Sequence, residues 1–345
     1  MNSAASPPEA AGGATARPHP PALTVALFAL KVAASLGLLW LATRGIDFGA
    51  AFASLDRVNP LLLLIAPLAL VGAIGVNAIR WQRLLAAHGA PITRRRASAL
   101  VLLTQFFNSG LPSTLGGDAA RIIYATRGGA PVFNVIAATI LDRFAGYSSV
   151  ILYTAVVIIV QPFGLELPPV WRAMVLLLTL GVPAGILVLA VINVIPRPEA
   201  WLRHADDPTA QGASGWAVRR LAPLLRVRIN IAAVLVAIVV SAPIVLLDGV
   251  ALAAINASVC GCGDLDLLRA IAIAGPLVLA VSLPISMAGW GVREVVIVAL
   301  YGLLGLPPEQ GLITSVLFGI SVLVSGLPGL FVWLTLRGAP ALSRS

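Results

Sequence analysis

The sequence predicts an all-α, polytopic membrane protein with about six full spans plus two broken or re-entrant helical hairpins in an inverted repeat. Three observations carry that prediction. Of 345 residues, 59% are hydrophobic and 11% charged, with a mean hydropathy of +0.97, whereas soluble domains hold about a quarter charged residues. Apolar runs of bilayer-crossing length, about 20 residues each, recur along the chain. The pattern Leu-Pro-x4-Gly-x3-Arg occurs twice, as "LPSTLGGDAAR" (111–121) and "LPISMAGWGVR" (283–293), each time inside an apolar region.

Taken in order, residues 1–20 are rich in Ala, Pro and Gly and read as a disordered tail. The basic segment before the first apolar run is too thin for a signal peptide, so 21–43 is expected to remain as the first span. Residues 45–58 mix apolar and charged positions at helical spacing and are placed at the membrane interface. Further spans are expected at 59–84, 131–160, 170–195, 228–255 and 308–336, the last kinked at "GLPG" (326–329). Regions 97–128 and 267–302 each hold an apolar run interrupted by Pro and Gly, followed by a short amphipathic helix carrying Arg. They read as broken helices. Together these make one membrane domain, 21–337, with repeats at 21–160 and 170–337 and a short cytoplasmic tail at 338–345.

The formal charge is +9, but its placement argues against nucleic acid. The arginines cluster between apolar runs, at 94–96 and across 196–228, while the loop 161–171 is poor in them. With six spans, both basic loops, Arg337 and both termini fall on the cytoplasmic side of the inner membrane by the positive-inside rule. The basic loops also suit anionic lipid headgroups. Cys260 and Cys262 are separated by one residue, and His19, His88 and His204 are scattered, so neither a disulfide framework nor a metal site is expected, and no cofactor.

The two Leu-Pro motifs stand at matching places. Each follows two spans and precedes one, and the two halves enter the membrane from opposite sides. Interrupted helices of opposed repeats meeting near the midplane are a feature of secondary transporters. Backbone that leaves the helix in lipid survives only inside protein or beside a water-filled cavity. Pro112 and Pro284 disrupt the helix, and Gly116, Gly117, Gly289 and Gly291 permit the turns. Helices restarting near Asp118 and Trp290 would aim their N–H groups into the break, with Arg121 and Arg293 adding full charge. Two such ends facing one cavity suit an anion, phosphate being the natural one.

Each candidate has a structural alternative. Arg121 and Arg293 hold a headgroup or snorkel to the interface; Asp118 caps a helix or binds substrate or a proton. Asp142 and Arg143 lie some twelve residues into a span, a costly depth for charge, and form either a site or a structural ion pair. Glu294 couples a proton or bridges Arg293. Asn108 bonds the freed backbone or contacts ligand. Asp248 and Lys31 carry no motif and are expected near interfaces.

At "NSGLPSTLGGDAAR" (108–121), "LDRFAGYSSV" (141–150) and "SLPISMAGWGVRE" (282–294) the chain resembles the membrane region of lysylphosphatidylglycerol synthases and their stand-alone flippase-like relatives. The family's Gly-Gly-Asp-x-x-Arg corresponds to Gly116, Gly117, Asp118 and Arg121, its acidic-Arg pair to Asp142 and Arg143, and its Gly-x-Gly-x-Arg-Glu to Gly289, Gly291, Arg293 and Glu294. The resemblance implies movement of a polar-headed lipid between leaflets. No soluble aminoacyl-transfer domain is expected in these 345 residues, and no lysyl transfer. Phospholipids, polyprenyl-phosphate-linked sugars and terpenoid lipids all remain open as substrates, and lipid-synthesising enzymes as partners. The sequence holds no recognised catalytic motif, so an enzyme is not expected. A membrane-embedded lipid-modifying enzyme and a non-transporting partner in envelope lipid or glycan assembly are the alternatives. The sequence does not give an oligomeric state.

Overall fold

Eleven α-helices and no strand are seen whole among the described residues of the structure, a computed structural model that describes residues 22–49, 55–56, 58–110, 114–194, 227–260, 265–282, 286 and 289–338. The helices are α1 (Ala22–Thr43), α2 (Pro60–Ala87), α3 (Arg94–Gly110), α4 (Thr114–Arg127), α5 (Val132–Val160), α6 (Pro169–Val194), α7 (Ile231–Cys260), α8 (Leu267–Val281), α9 (Val292–Leu303), α10 (Pro308–Gly326) and α11 (Pro328–Gly338). Five stretches are long and apolar enough to cross a membrane: α2, α5, α6, most of α7, and α10 with α11. At 1.5 Å per residue, helices of 28 to 30 residues such as α2, α5 and α7 exceed the roughly 30 Å hydrocarbon core. The sixth expected span, α1, contributes a shorter apolar stretch, Phe28–Thr43. The chain is a multi-pass membrane protein.

Local sequence sets the boundaries. Asn59 caps α2, its Oδ1 accepting from the N–H of Leu61 at 3.0 Å, with Pro60 at the first helical position. α5 ends where Gln161 turns left-handed (φ 45°). Asp266 caps α8 by accepting from the N–H of Arg269 at 2.8 Å. Leu327 and Pro328 divide α10 from α11, the expected kink. The span expected at 228–255 runs on to Cys260 because nothing in "NASVC" breaks it.

Two expectations need correction. The helix after the first break restarts at Thr114, not near Asp118, so Gly116 and Gly117 lie in its first turn rather than in the break, and Asp118 is no cap. The reason is contact: the N–H of Gly117 donates to Asn108 Oδ1 at 3.2 Å, and the Thr104 hydroxyl donates to the Gly117 carbonyl at 3.2 Å. α3 therefore braces the first turn of α4. Pro112, Pro284, residues 50–54 and 57 of the interfacial segment 45–58, and the arginine-rich stretch 195–226 lie outside the described residues.

The packing is reciprocal. α2 and α7 form the principal contact, α3 packs on α10 and α11, and α8 packs on α5. α4 lies on α5 as α9 lies on α10, and α5 meets α7 as α10 meets α2. One contact breaks the pattern: α1 crosses to α9, whereas α6 packs on α5. Only Val175 and Val182 of α6 are buried, with Trp171, Ile186 and Leu189 partly buried against the core, so α6 is the most exposed of the long apolar helices.

Candidate functional site

Charges in the membrane interior gather into two networks. The first joins α2, α4 and α5. Arg80 Nε donates to Asp142 Oδ1 at 2.7 Å, and its other nitrogens donate to Ser241 Oγ at 2.6 Å and Asn77 Oδ1 at 3.1 Å. Arg121 donates through both terminal nitrogens to Asp142 Oδ2 at 3.2 Å and pairs with Asp118 at 3.0 Å. Arg143 Nε donates to Asp118 Oδ2 at 2.6 Å. The Arg121 guanidinium stacks 4.9 Å from the Trp81 ring centre, and the Trp81 indole N–H donates to Thr139 at 3.3 Å.

The periodicity of the helices produces this cluster. Asp118 and Arg121 are three residues apart on one face of α4. Asp142 and Arg143 are adjacent on α5 and point in different directions, so each meets a different partner: Asp142 lies between Arg80 and Arg121, while Arg143 reaches Asp118. Asp142 and Arg121 are each 2% exposed, where an unpaired charge costs several kcal/mol. Arg121 keeps one buried donor, Nε, without a partner among the described residues.

The second network sits on α9 and α10. Arg293 Nη2 donates to Glu294 Oε1 at 2.7 Å, and its Nε donates to Ser315 Oγ at 3.2 Å. The Ser315 hydroxyl donates to the same Oε1 at 3.1 Å. Glu294 Oε2 accepts from the N–H of Gly291 at 2.5 Å and so reaches back over the start of α9. Gly289 and Gly291 turn at φ +82° and +87°, a region open to glycine. Arg293 stacks 4.4 Å from the Trp290 ring centre. The two networks share no residue.

A cavity of about 230 Å³ is bounded by helices of both halves, α2, α3, α7, α8 and α10. Its polar groups are Asn77, Gln105, Asp248, Ser282 and Ser325, among aliphatic walls. Asn77 joins it to the first network through Arg80.

The structure thus brings Asp118, Arg121, Asp142 and Arg143 together, and Arg293 with Glu294, while Asn108 serves the α3–α4 backbone. Sequence reasoning misses Arg80. It falls inside the span expected at 59–84 but carries no motif, and in the structure, with α2 running on to Ala87, it is 6% exposed. The available signal is "NAIRW" (77–81), three polar or aromatic positions on one turn. It also misses Ser315 and places Asp248 at an interface, whereas Asp248 lines the cavity. Among the described residues no group of His, Cys, Asp and Glu is arranged to hold a metal ion.

A comparison with curated proteins gave no match. Residues 28–329 match the family described as the lysylphosphatidylglycerol synthase TM region, and the match takes in both charge networks and every wall of the cavity. The chain belongs to that family.

Proposed function

We propose that this protein moves a lipid with an anionic or polar head between the leaflets of the cytoplasmic membrane, with both termini on the cytoplasmic side. The observation that carries the reading is the central cavity. Polar groups from both halves line it, Asn77 and Gln105 from the first, Asp248, Ser282 and Ser325 from the second. Polar lining at membrane depth costs free energy unless it serves a path or a ligand. The reciprocal packing of the halves supports an inverted repeat, and membership of a lipid-related family agrees with the substrate class.

In this reading the headgroup enters the cavity while its tails stay in lipid. Arg121 and Arg293 meet its phosphate by exchange, giving up a carboxylate partner for a phosphate oxygen, and the free Arg121 Nε offers the first donor. Asp118, Asp142, Arg143 and Glu294 take up the charges released, so the hairpins shift only when a headgroup is present.

The test is lipid movement in liposomes holding the purified protein, with fluorescent phospholipids and a polyprenyl phosphate as probes. The wild type is expected to move one class. Ala73→Phe, which fills the cavity, and Arg121→Ala/Arg293→Ala, checked for folding by thermal melting, are expected to fall to the protein-free rate. Undiminished movement by folded Ala73→Phe would put the path elsewhere.

A further inference from the structure

The membrane-embedded carboxyl groups of the two networks all face a guanidinium. Asp248 does not. It is 9% exposed, it lines the central cavity, and no described residue makes an ion pair or hydrogen bond to it. Along α7 it stands about 4 Å from the helix midpoint at 1.5 Å per residue, so no end of the helix brings it to a headgroup layer.

The charged groups on the elements packed against α7 are all occupied or placed elsewhere. On α2, Arg80 is held by Asp142 and Ser241, and Arg83 borders a separate cavity beside the start of α7. On α5, Asp142 and Arg143 belong to the first network, the Tyr153 hydroxyl donates to the Ile271 carbonyl at 2.7 Å, and Tyr147 is exposed. Arg172, Arg269 and Glu309 stand in the opening turns of α6, α8 and α10. The positive charge that balances Asp248 therefore comes through the cavity, which has room for several waters.

The surroundings select which cation. A hard metal ion draws in six or more oxygens. Here the lining brings at most five free side-chain oxygens, two from Asp248 and one each from Gln105, Ser282 and Ser325, since Asn77 Oδ1 is committed to Arg80. A proton needs only one carboxylate oxygen. We propose that Asp248 is an exchangeable proton site of this protein, loaded and unloaded through the central cavity, and that it ties lipid movement to the proton gradient. The coupling, though not the proton site itself, rests on the transport reading above. The step is a proton transfer. An O–H bond forms at one Asp248 oxygen, the proton leaves a hydronium ion in the cavity, and water remains; release reverses it. With the proton on, the carboxyl is neutral and the halves can close over a dry cavity. With it off, closure strands a bare charge, which costs far more.

The experiment is infrared difference spectroscopy on the full chain in liposomes, wild type against Asp248→Asn, with Asp248→Glu as a second variant. The expected result is a protonated-carboxyl C=O band in the wild type that fades as pH rises and shifts in D2O. It is lost in Asp248→Asn and regained, displaced, in Asp248→Glu. No such band, or one that does not respond to D2O, overturns the proton site. In the same vesicles under an imposed pH gradient, movement of the fluorescent phospholipid or polyprenyl phosphate is expected to follow the gradient in the wild type and ignore it in Asp248→Asn. Movement in the wild type that ignores the gradient overturns the coupling. If the wild type moves neither probe, the transport reading fails, and the infrared band alone upholds or overturns the proton site.

Discussion

Asp142 is the carboxylate on which the first network turns, because it faces two buried guanidinium groups, Arg80 and Arg121, whereas one of the two partners of Asp118, Arg143, is partly exposed. Removing one partner of a buried pair leaves the other charge stranded, at a cost of about 3–5 kcal/mol. Asp142→Asn is therefore expected to lower stability by at least that order in a detergent unfolding titration. Arg143→Ala should cost under about 1 kcal/mol, since the Arg143 side chain is 35% exposed where it meets Asp118. Equal losses for the two variants would mean that burial does not set the strength of these pairs. Asp142 was legible in the sequence from its depth inside a long apolar run, and Arg121 from its place after a helix break, matched by Arg293 in the second motif. Arg80 was not, because no repeated motif marks it and its carboxylate partner lies 62 residues away in the sequence.

The α3–α4 hairpin depends on one close approach. A Cβ at Gly117 would collide with the Thr104 carbonyl and Asn108 Oδ1, and the carbonyl is backbone that cannot swing aside. Gly117→Ala is expected to destabilise by about 1–3 kcal/mol. Gly75→Ala, in the middle of α2 with nothing within 4 Å, should gain about 0.5–1 kcal/mol from helix propensity. Thermal melting of both in one detergent checks the opposite signs. Both broken regions were readable from Pro and Gly in apolar runs, but the restart of α4 was not. Glycine signals a turn and a close approach with the same letter, and only the position of the facing helix tells them apart. At Gly291 both apply, with φ at +87° and a would-be Cβ 2.6 Å from the Ser35 carbonyl.

The assembled molecule is held by contacts between its halves, and the sequence contained no sign of which helices would pair. A repeat can be inferred from two matching motifs, whereas the grip of α11 on α3 requires complementary surfaces, including the Phe107 and Trp333 rings set edge to face at 6.1 Å. If transport needs the halves to move against each other, a bond across this seam should stop it. The Phe106 Cα lies 3.5 Å from where a Cβ at Gly326 would stand, so the two backbones meet closely at this seam. Phe106→Cys/Gly326→Cys, with Cys260 and Cys262 replaced by serine, is expected to lose lipid movement on oxidation and recover it on reduction. Movement by the oxidised protein would show that this seam is static. The crossing of α1 to α9 bears on the order of assembly. A chain made from its N-terminus makes α1 well before α9, the helix on which it docks. The α1 helix thus waits in the bilayer while the segments between are made, and its docking is a late event of assembly although its sequence is an early one.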